Sequence, residues 1–410
     1  MSKLPDGWTS DELNNCIDRI IDYRGKSVPK AEFGVRLITA RNVRNGSLNW
    51  EYAEYIPKDI YDSWMDRGIP RSGDILFTTE APLGMVAHFP QSGRYALGQR
   101  LVAIRTDEKR LVSTFLLQFL ISQNGQDVVF QRSSGSTAIG IKQRELRKIR
   151  IPLPPLPEQR KIAEILSTWD EAIALTEALI AALQRRKQAL MQLLLTGQVR
   201  FPGFVNSEEY QETEFGSIPT DWDYIQIGQI ANSVSNRNTD GDELPVLSCT
   251  KYDGLVDSLE YFGRQIYSDD LSTYKLVHHG QFAYATNHIE EGSIGYQDLY
   301  DVGLISPMYT VFETTDLIHD PFLYSVLKTE LYRHIFEINT SASVDRRGSL
   351  RWPQFSKIRI PLPQLGEQQV ISDVLDTSEQ IISVYTGMLH EFQAQKRGLM
   401  QQLLTGAVRV

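Results

Sequence analysis

Several short motifs in this chain border on chemistry without completing it. Gly25-Lys26-Ser27 has the tail of a phosphate-binding loop, but Ile20 stands where the first glycine of that loop is needed, so no backbone cradle for phosphates forms. Ser306-Pro307-Met308-Tyr309 resembles the Asp/Asn/Ser-Pro-Pro-aromatic motif with which amino-methyltransferases hold a flipped base. Its third position is methionine, and no glycine-rich strand–turn–helix for a methyl donor accompanies it. Asp107-Glu108-Lys109 has the Asp-x-Lys spacing of some nuclease sites, yet no second acidic ligand stands near it. The seven histidines and two cysteines, Cys16 and Cys249, show no metal-ligand spacing. Gly-x-Ser-x-Gly is missing. These residues predict no catalytic, cofactor or metal site.

The residue types that do cluster are suited to binding. Lys142, Arg144, Arg147, Lys148 and Arg150 crowd one stretch, with only Glu145 against them; Arg346, Arg347, Arg351, Lys357 and Arg359 crowd another, with Asp345 at its edge. The chain as a whole carries a net charge of −9, which argues against a protein that simply coats DNA. Locally basic surfaces on an acidic protein can still neutralise phosphates.

The elements around these clusters are duplicated. Residues 149–200 (IRIPLPPLPEQRKIAEIL…KQALMQLLLTGQVR) return as residues 358–409 (IRIPLPQLGEQQVISDVL…KRGLMQQLLTGAVR), without a gap and with 24 identities in 52 positions. Such an internal repeat governs how the rest is read. From Glu158 to Leu195 no proline or glycine interrupts, and Ile162, Leu166, Trp169, Ile173, Thr176, Ile180, Leu183, Lys187, Leu190 and Leu194 follow the alternating four-and-three spacing of a coiled-coil seam. The second copy places Ile371, Leu375, Ser378, Ile382, Tyr385, Leu389, Phe392, Lys396, Leu399 and Leu403 in the same register. Narrow apolar stripes of this kind need burial to be stable, and two in one chain can bury each other. Lys187 and Lys396 hold core-type positions in both copies, either reaching out to solvent or meeting acidic groups of a partner. About 38 residues at about 1.5 Å each reach about 57 Å, a span on which an antiparallel pair would mount two readers for half-sites about one turn of DNA apart.

Ahead of each helix lies a mixed segment. In residues 1–150, GVRLITARNV, GDILFTTEAPLGMVAHF and LGQRLVAIRT read as strands between turn formers. A helix is expected over Ser113–Gln123 with Ser113 as its cap. Residues 218–357 repeat the plan with LPVLSCT, GQFAYATN and GLISPMYTVFE as strands and a helix over Pro321–Phe336. Leu4–Trp8 (LPDGW) is echoed by Ile218–Trp222 (IPTDW). The expected organisation is α+β: a mixed globular domain over 1–150, a spacer helix in 151–200, a linker over 201–217, a second mixed domain over 218–357 and a second spacer helix in 358–410. No run of about 18 apolar residues predicts a membrane span. The opening MSKLPDGWTSDELNN predicts no signal peptide, and the scarcity of cysteine fits the reducing cytoplasm.

IPLPPLPEQRKIAEIL, LMQLLLTGQVRFPGF, their repetition and the DGW/TDW openings together resemble the specificity subunit of a type I restriction–modification system, over essentially the whole chain. The resemblance implies two target recognition domains, each reading one half of a bipartite, asymmetric site in double-stranded DNA. It implies long helices that form an antiparallel coiled coil, giving pseudo-two-fold symmetry and setting the spacer. It also implies two modification subunits that methylate adenine with S-adenosylmethionine, and ATP-dependent restriction subunits, as partners that do the chemistry.

Arginine favours guanine, and asparagine or glutamine favours adenine. On that basis the candidate DNA-binding residues are Arg41, Asn42, Arg44, Gln99, Arg100 and Lys142 in the first half, with Ser134, Ser136 and Thr137 in the SSGST run for phosphate, and Lys251, Tyr252, Asn287, His288, Arg346 and Arg347 in the second. Two other readings compete: a helical scaffold that does not read DNA, and a fused methyltransferase or nuclease.

Overall fold

The computed structural model describes residues 4–25, 27–135, 139–213, 216–340 and 349–410. Two compact units form: residues 1–179 with 385–410, and residues 180–384. Each long helix is therefore shared, one part in each unit.

In the first unit the strands Ile17–Asp22, Leu101–Thr106, Ile75–Thr78 and Val86–His88 lie side by side in that order, antiparallel throughout. Strand residues alternate between faces, and here both faces are covered. Ile75, Phe77, Val102 and Ile104 enter a core with Phe115, Leu116 and Leu120 of a helix pair and with Ile162 and Leu166 of the first long helix. Leu76, Leu101 and Ala103 enter a second core with Val35, Leu37 and Ala96, part of a three-stranded sheet of Glu54–Ile56, Val35–Ile38 and Tyr95–Leu97. Double burial is why these strands read as continuous apolar runs.

The second unit repeats the plan with Ala231–Val234, Tyr309–Thr314, Phe282–Ala285 and Ile294–Tyr296 in matching order. Phe282, Tyr284 and Phe312 face its helices, while Ala283 and Val311 face the other core. Both expected helices in front of the repeats are pairs. Ser113 begins the helix Ser113–Ile121 inside its first turn and does not cap it; Ser122 instead caps a second helix, Gln123–Gln131, by accepting from the Gly125 N–H. The expected Pro321–Phe336 helix is likewise split into Asp320–Leu327 and Glu330–Asn339, because Thr329 caps the second piece. A hydroxyl that satisfies a free helix N–H starts a new helix where periodicity alone would continue the old one.

The expected linker is folded as well, with a short 3-10 turn at Pro202–Phe204 and a strand, Tyr210–Thr213, paired with Gly216–Pro219. Both cysteine thiols are free; burial pushes the Cys249 thiol up to about 12, far from a reactive thiolate.

The long helices are Leu156–Leu195 and Leu365–Leu403. All the seam positions named above, in both copies, are buried or half-buried. In the first unit Trp169 meets Phe392 edge-on, ring centroids 5.7 Å apart, and Lys396 pairs with Asp170 of the opposite helix. In the second, Lys187 pairs with Glu379. The seam lysines thus meet acids, and the two pairs are repeat equivalents. Within each unit, higher numbers on one helix meet lower numbers on the other, the antiparallel arrangement. Among the described residues no helix is long and apolar enough to cross a membrane.

Candidate nucleic-acid interface

Each globular part is locked to its helix start by one repeated constellation. In the first unit the Trp8 Nε1–H donates to Glu158 Oε2 (3.1 Å), and Arg409 donates to both oxygens, Nε to Oε1 at 2.5 Å and Nη2 to Oε2 at 2.8 Å. In the second, Trp222 Nε1–H donates to Glu367 Oε2 (3.0 Å), and Arg200 donates Nε to Oε1 and Nη2 to Oε2, both at 2.8 Å. Each guanidinium also lies over its tryptophan ring. The neighbouring glutamine completes the lock. Gln159 accepts from the Val112 N–H and donates to the Arg110 and Pro154 carbonyls; Gln368 accepts from the His319 N–H and donates to those of Leu317 and Pro363. The DGW/TDW openings, the PEQ/GEQ helix starts and the TGxVR endings are distant in sequence because each clasp needs one of each.

Arg409 holds the Glu158 carboxyl below its usual range, against the opposing effect of burial and with help from Trp8. At Asp221, which accepts from Arg200 Nη1 at 2.6 Å, burial works the other way, but Arg200 and the Asn206 N–H outweigh it and keep the carboxyl low.

On this frame the first unit gathers several candidate residues onto adjoining loops. Gly98 donates to the Ile38 carbonyl, which sets Gln99 and Arg100 beside the turn carrying Arg41. The Thr79 N–H bonds the Arg100 carbonyl, and the Ile141 N–H bonds the Thr79 carbonyl, adding Lys142. Ser134 and Gly140 exchange backbone hydrogen bonds, which adds Ser134. Arg100 has a positive φ of 63°, and its guanidinium lies 3.2 Å from Glu80 with more than half of the side chain exposed. Arg41, Arg44, Gln99, Ser134 and Lys142 are exposed. Asn42 is not: at 1% exposure, its Oδ1 accepts from the Thr39 N–H and hydroxyl, and its Nδ2 donates to the Asn49 and Tyr52 carbonyls. Its amide is committed to stapling the loop, so the expectation that it reads a base is replaced by a structural place.

In the second unit Thr286 Oγ1 donates to the Met308 carbonyl, and the Leu350 N–H bonds the Thr286 carbonyl. Lys251 and Tyr252 occupy a hairpin tip between Leu247–Thr250 and Gly254–Asp257, with Tyr252 77% exposed and the Lys251 ammonium 5.0 Å from its ring centroid. Asn287 and His288 follow Thr286 in the next turn and help line a cavity of about 380 Å³ with Tyr267, Tyr274, Met308 and Tyr309. His288, Glu290 and Glu291 bring three metal-ligand-type atoms within 4.8 Å of one another, His288 and Glu291 at the exposed surface. Ser136, Thr137, Arg346 and Arg347 lie outside the described residues, as does Lys26.

Four of the five residues of the first basic cluster have partners within the chain. Arg147 bonds the Asn14 side chain and Arg150 the Ser10 carbonyl, while Glu145 draws in Arg132, Arg144 and Lys148. Asp107 and Glu108 are turn residues, bonding the Lys109 N–H and the Thr106 hydroxyl. Ser306–Met308 is the turn between two strands, closed by the Tyr309 N–H on the Ser306 carbonyl.

Sequence reasoning passed over Glu80, although the repeat pointed to it. The turn at 79–84 recurs at 286–292, the tip ending at Gly46 recurs at Gly254, and Arg100 has its counterpart at Met308. The separations are 292 − 84, 254 − 46 and 308 − 100, all 208. Thr79 and Thr286, which open the two turns, are 207 apart and the second turn is one residue longer, so Glu80 falls in the stretch Asn287–His288, where candidates of the second half were found.

The chain is thus a duplicated α+β protein in which each globular part, with its cluster of exposed polar loops, is clasped to a pair of long helices. The family described as type I restriction modification DNA specificity domain matches residues 55–185 and 219–391, and the chain belongs to it. Members of this kind are the non-catalytic DNA-recognition subunits of restriction–modification complexes. The type I restriction enzyme MjaVIII specificity subunit of Methanocaldococcus jannaschii is 24% identical over 324 residues, 75% of this chain and 73% of that one. The EcoBI specificity subunit of Escherichia coli is 23% identical over 99% of this chain and 86% of its own. The crystal structure of the type I system S subunit from M. genitalium superposes with a TM-score of 0.59 at 15% identity, covering 98% of this chain and 97% of that one.

Proposed function

We propose that each unit reads one half of a bipartite, asymmetric site in double-stranded DNA, and that partners act at the site so chosen. Those partners would be two modification subunits that methylate adenine and the ATP-dependent restriction subunits, in the cytoplasm where the DNA lies. The reading domains would span 1–150 and 218–357, joined through 201–217, with the repeats in 151–200 and 358–410 as spacer and docking rod. One observation carries this reading: the same cluster of loops, with exposed polar and basic side chains, recurs in both units in the same chain order on matching sheets. A duplicated surface with diverged side chains suits two half-sites of different sequence.

Arg41, Arg44, Gln99, Arg100, Ser134 and Lys142 are the proposed contacts of the first half, and Lys251, Tyr252, Asn287 and His288 those of the second. Ser136, Thr137, Arg346 and Arg347 join them on sequence alone. Glu80 is added, since a carboxylate accepts from the cytosine amino group beside an arginine on guanine. Sequencing the host methylome before and after deletion of the gene tests the proposal. Loss of one two-part adenine-methylated motif is the expected result, and an unchanged methylome would end it.

A further inference from the structure

In both units a single side-chain donor, reaching over from the helix pair, holds the glycine carbonyl that ends the turn between the third strand of the sheet and the fourth, at its edge. In the first unit this is Gln126, whose Nε2 donates to the Gly84 carbonyl at 2.9 Å and to that of Leu120 at 2.6 Å. In the second it is Lys328, whose ammonium donates to the Gly292 carbonyl at 3.1 Å and to the Lys251 carbonyl at 2.8 Å. Gly84 and Gly292 are repeat equivalents with φ values of +85° and +95°. The donors come from different places in the two helix pairs, so the carbonyl is matched while the residue that serves it has changed.

Lys328 does more than Gln126. The Lys251 carbonyl belongs to the hairpin tip that carries Tyr252, and Gly292 closes the turn that carries Asn287 and His288. One ammonium thus ties two loops whose side chains are the proposed second-half contacts. The hairpin is also seated from beneath: a Cβ on Gly295 would lie 2.4 Å from the Leu255 nitrogen, and one on Gly254 would lie 2.3 Å from the Tyr324 hydroxyl. With its base so closely packed, the tip has its remaining freedom in the exposed turn at Lys251–Asp253, where Lys328 acts. Base readout demands side chains held to within a fraction of an ångström, and exposed loop tips lack that rigidity by default.

We infer that Lys328 and Gln126 are positioning residues for specificity, each fixing the reading loops of its own unit without touching DNA. This rests on the reading of the two units as half-site readers.

The test uses the specificity subunit assembled with its modification subunits, methylating a library of DNA randomised across both half-sites. The wild-type complex comes first: failure to select any two-part motif refutes the half-site reading itself, before a variant is made. Given that motif, Lys328→Met is expected to lower discrimination at second-half positions about tenfold, the scale of one lost base contact, with the first half unchanged. Lys328→Arg, which can serve both carbonyls, is expected to restore most of it. Gln126→Met is expected to relax the first half alone. An unaltered motif in both Met variants overturns the inference, as does relaxation of both halves by either one, the signature of a general structural loss. If Lys328→Met fails to assemble, the Gln126 arm decides by the same criteria.

Discussion

Arg409 closes on Glu158 across 251 residues of sequence, with two charge-assisted hydrogen bonds of 2.5 and 2.8 Å, so the last turn of the chain is fastened to the start of the first long helix. Arg200 makes the equivalent pair with Glu367, and the two clasps differ chiefly in burial. Arg200 is 6% exposed and Glu367 fully buried, whereas Arg409 is 43% exposed. In both, the tryptophan N–H and the fork of the guanidinium share one carboxylate, which fixes its orientation as well as its charge.

That difference makes the two clasps unequal under mutation. Glu367→Ala leaves a buried guanidinium with Asp221 as its one acid and the Phe204 carbonyl beside it, and losing one partner of a buried pair costs about 3–5 kcal/mol. Glu158→Ala leaves an arginine that water can reach, so its cost is smaller. Urea titration of both variants checks the order; equal midpoints would mean that burial does not govern these pairs.

Acid should loosen the clasps. Glu158 and Asp221 are both held below the ordinary carboxylate range in the folded chain. A carboxyl with a depressed folded value contributes stability that is complete above its unfolded value, about 4, and is lost as pH falls through the folded one. Thermal stability is therefore expected to be flat in this respect above about pH 5 and to decline below about pH 4. Glu158→Gln should flatten part of that acid limb while lowering stability at neutral pH. An acid limb unchanged by the substitution would show that other carboxylates set it.

The glycines that end the two long helices are equally constrained. Gly406 has φ +71°, and a Cβ there would sit 2.3 Å from Pro5 Cγ; Gly197 has φ +69°, and its Cβ would sit 2.5 Å from Pro219 Cγ. The left-handed conformation alone costs an alanine about 1 kcal/mol, and the prolines add a clash against ring atoms. Gly406→Ala and Gly197→Ala are each expected to lower the melting temperature by several degrees. Gly387→Ala, inside the second long helix with open space around its Cβ position, is expected to raise it.

The rod was legible in the sequence, and the faces of the units were legible only in part. The seam could be read because it obeys a simple period, and its lysines were placed correctly although their partners were not. Asp170 and Glu379 look like ordinary surface acids until the opposite helix is in place. The clasps were visible as repeated motifs without a reason, since Trp8, Glu158 and Arg409 are brought together only by the fold. Asn42 misled because residue type alone cannot separate a base-reading amide from one spent on the Thr39, Asn49 and Tyr52 backbone. The second helix capped by Ser122 and the helix break at Thr329 were missed for a similar reason, a hydroxyl cap being invisible to apolar periodicity.

The seam ion pair in the first unit offers an asymmetric test. Lys396 is 8% exposed at a core position and pairs with Asp170, which also accepts from Gln118 Nε2 at 2.6 Å. Lys396→Met removes the buried charge and refills the space, and the Asp170 carboxylate it leaves is 41% exposed and keeps Gln118 as a donor, so its cost is expected to be small. Asp170→Ala leaves the ammonium inside the seam without its acid and is expected to cost about 1–3 kcal/mol more than Lys396→Met. Chemical denaturation of both variants decides; a Lys396→Met protein less stable than Asp170→Ala would mean the pair itself supplies net stability.

Arg100 and Lys142 lie on adjoining loops but should fail differently. Arg100 is oriented by Glu80 and by a backbone conformation of positive φ, the marks of a side chain aimed at one target. Lys142 is exposed on the loop tied down through Ser134 and Gly140, a flexible point charge suited to phosphate. Arg100→Ala in the assembled complex is expected to relax preference at one base pair by about 1–3 kcal/mol, leaving binding to random DNA nearly unchanged. Lys142→Ala should weaken every sequence alike and reduce the salt dependence of binding by about one phosphate contact. Fluorescence anisotropy against matched and mismatched duplexes at several salt concentrations separates the two, and equal losses on all sequences from Arg100→Ala would assign that arginine to the phosphate backbone as well.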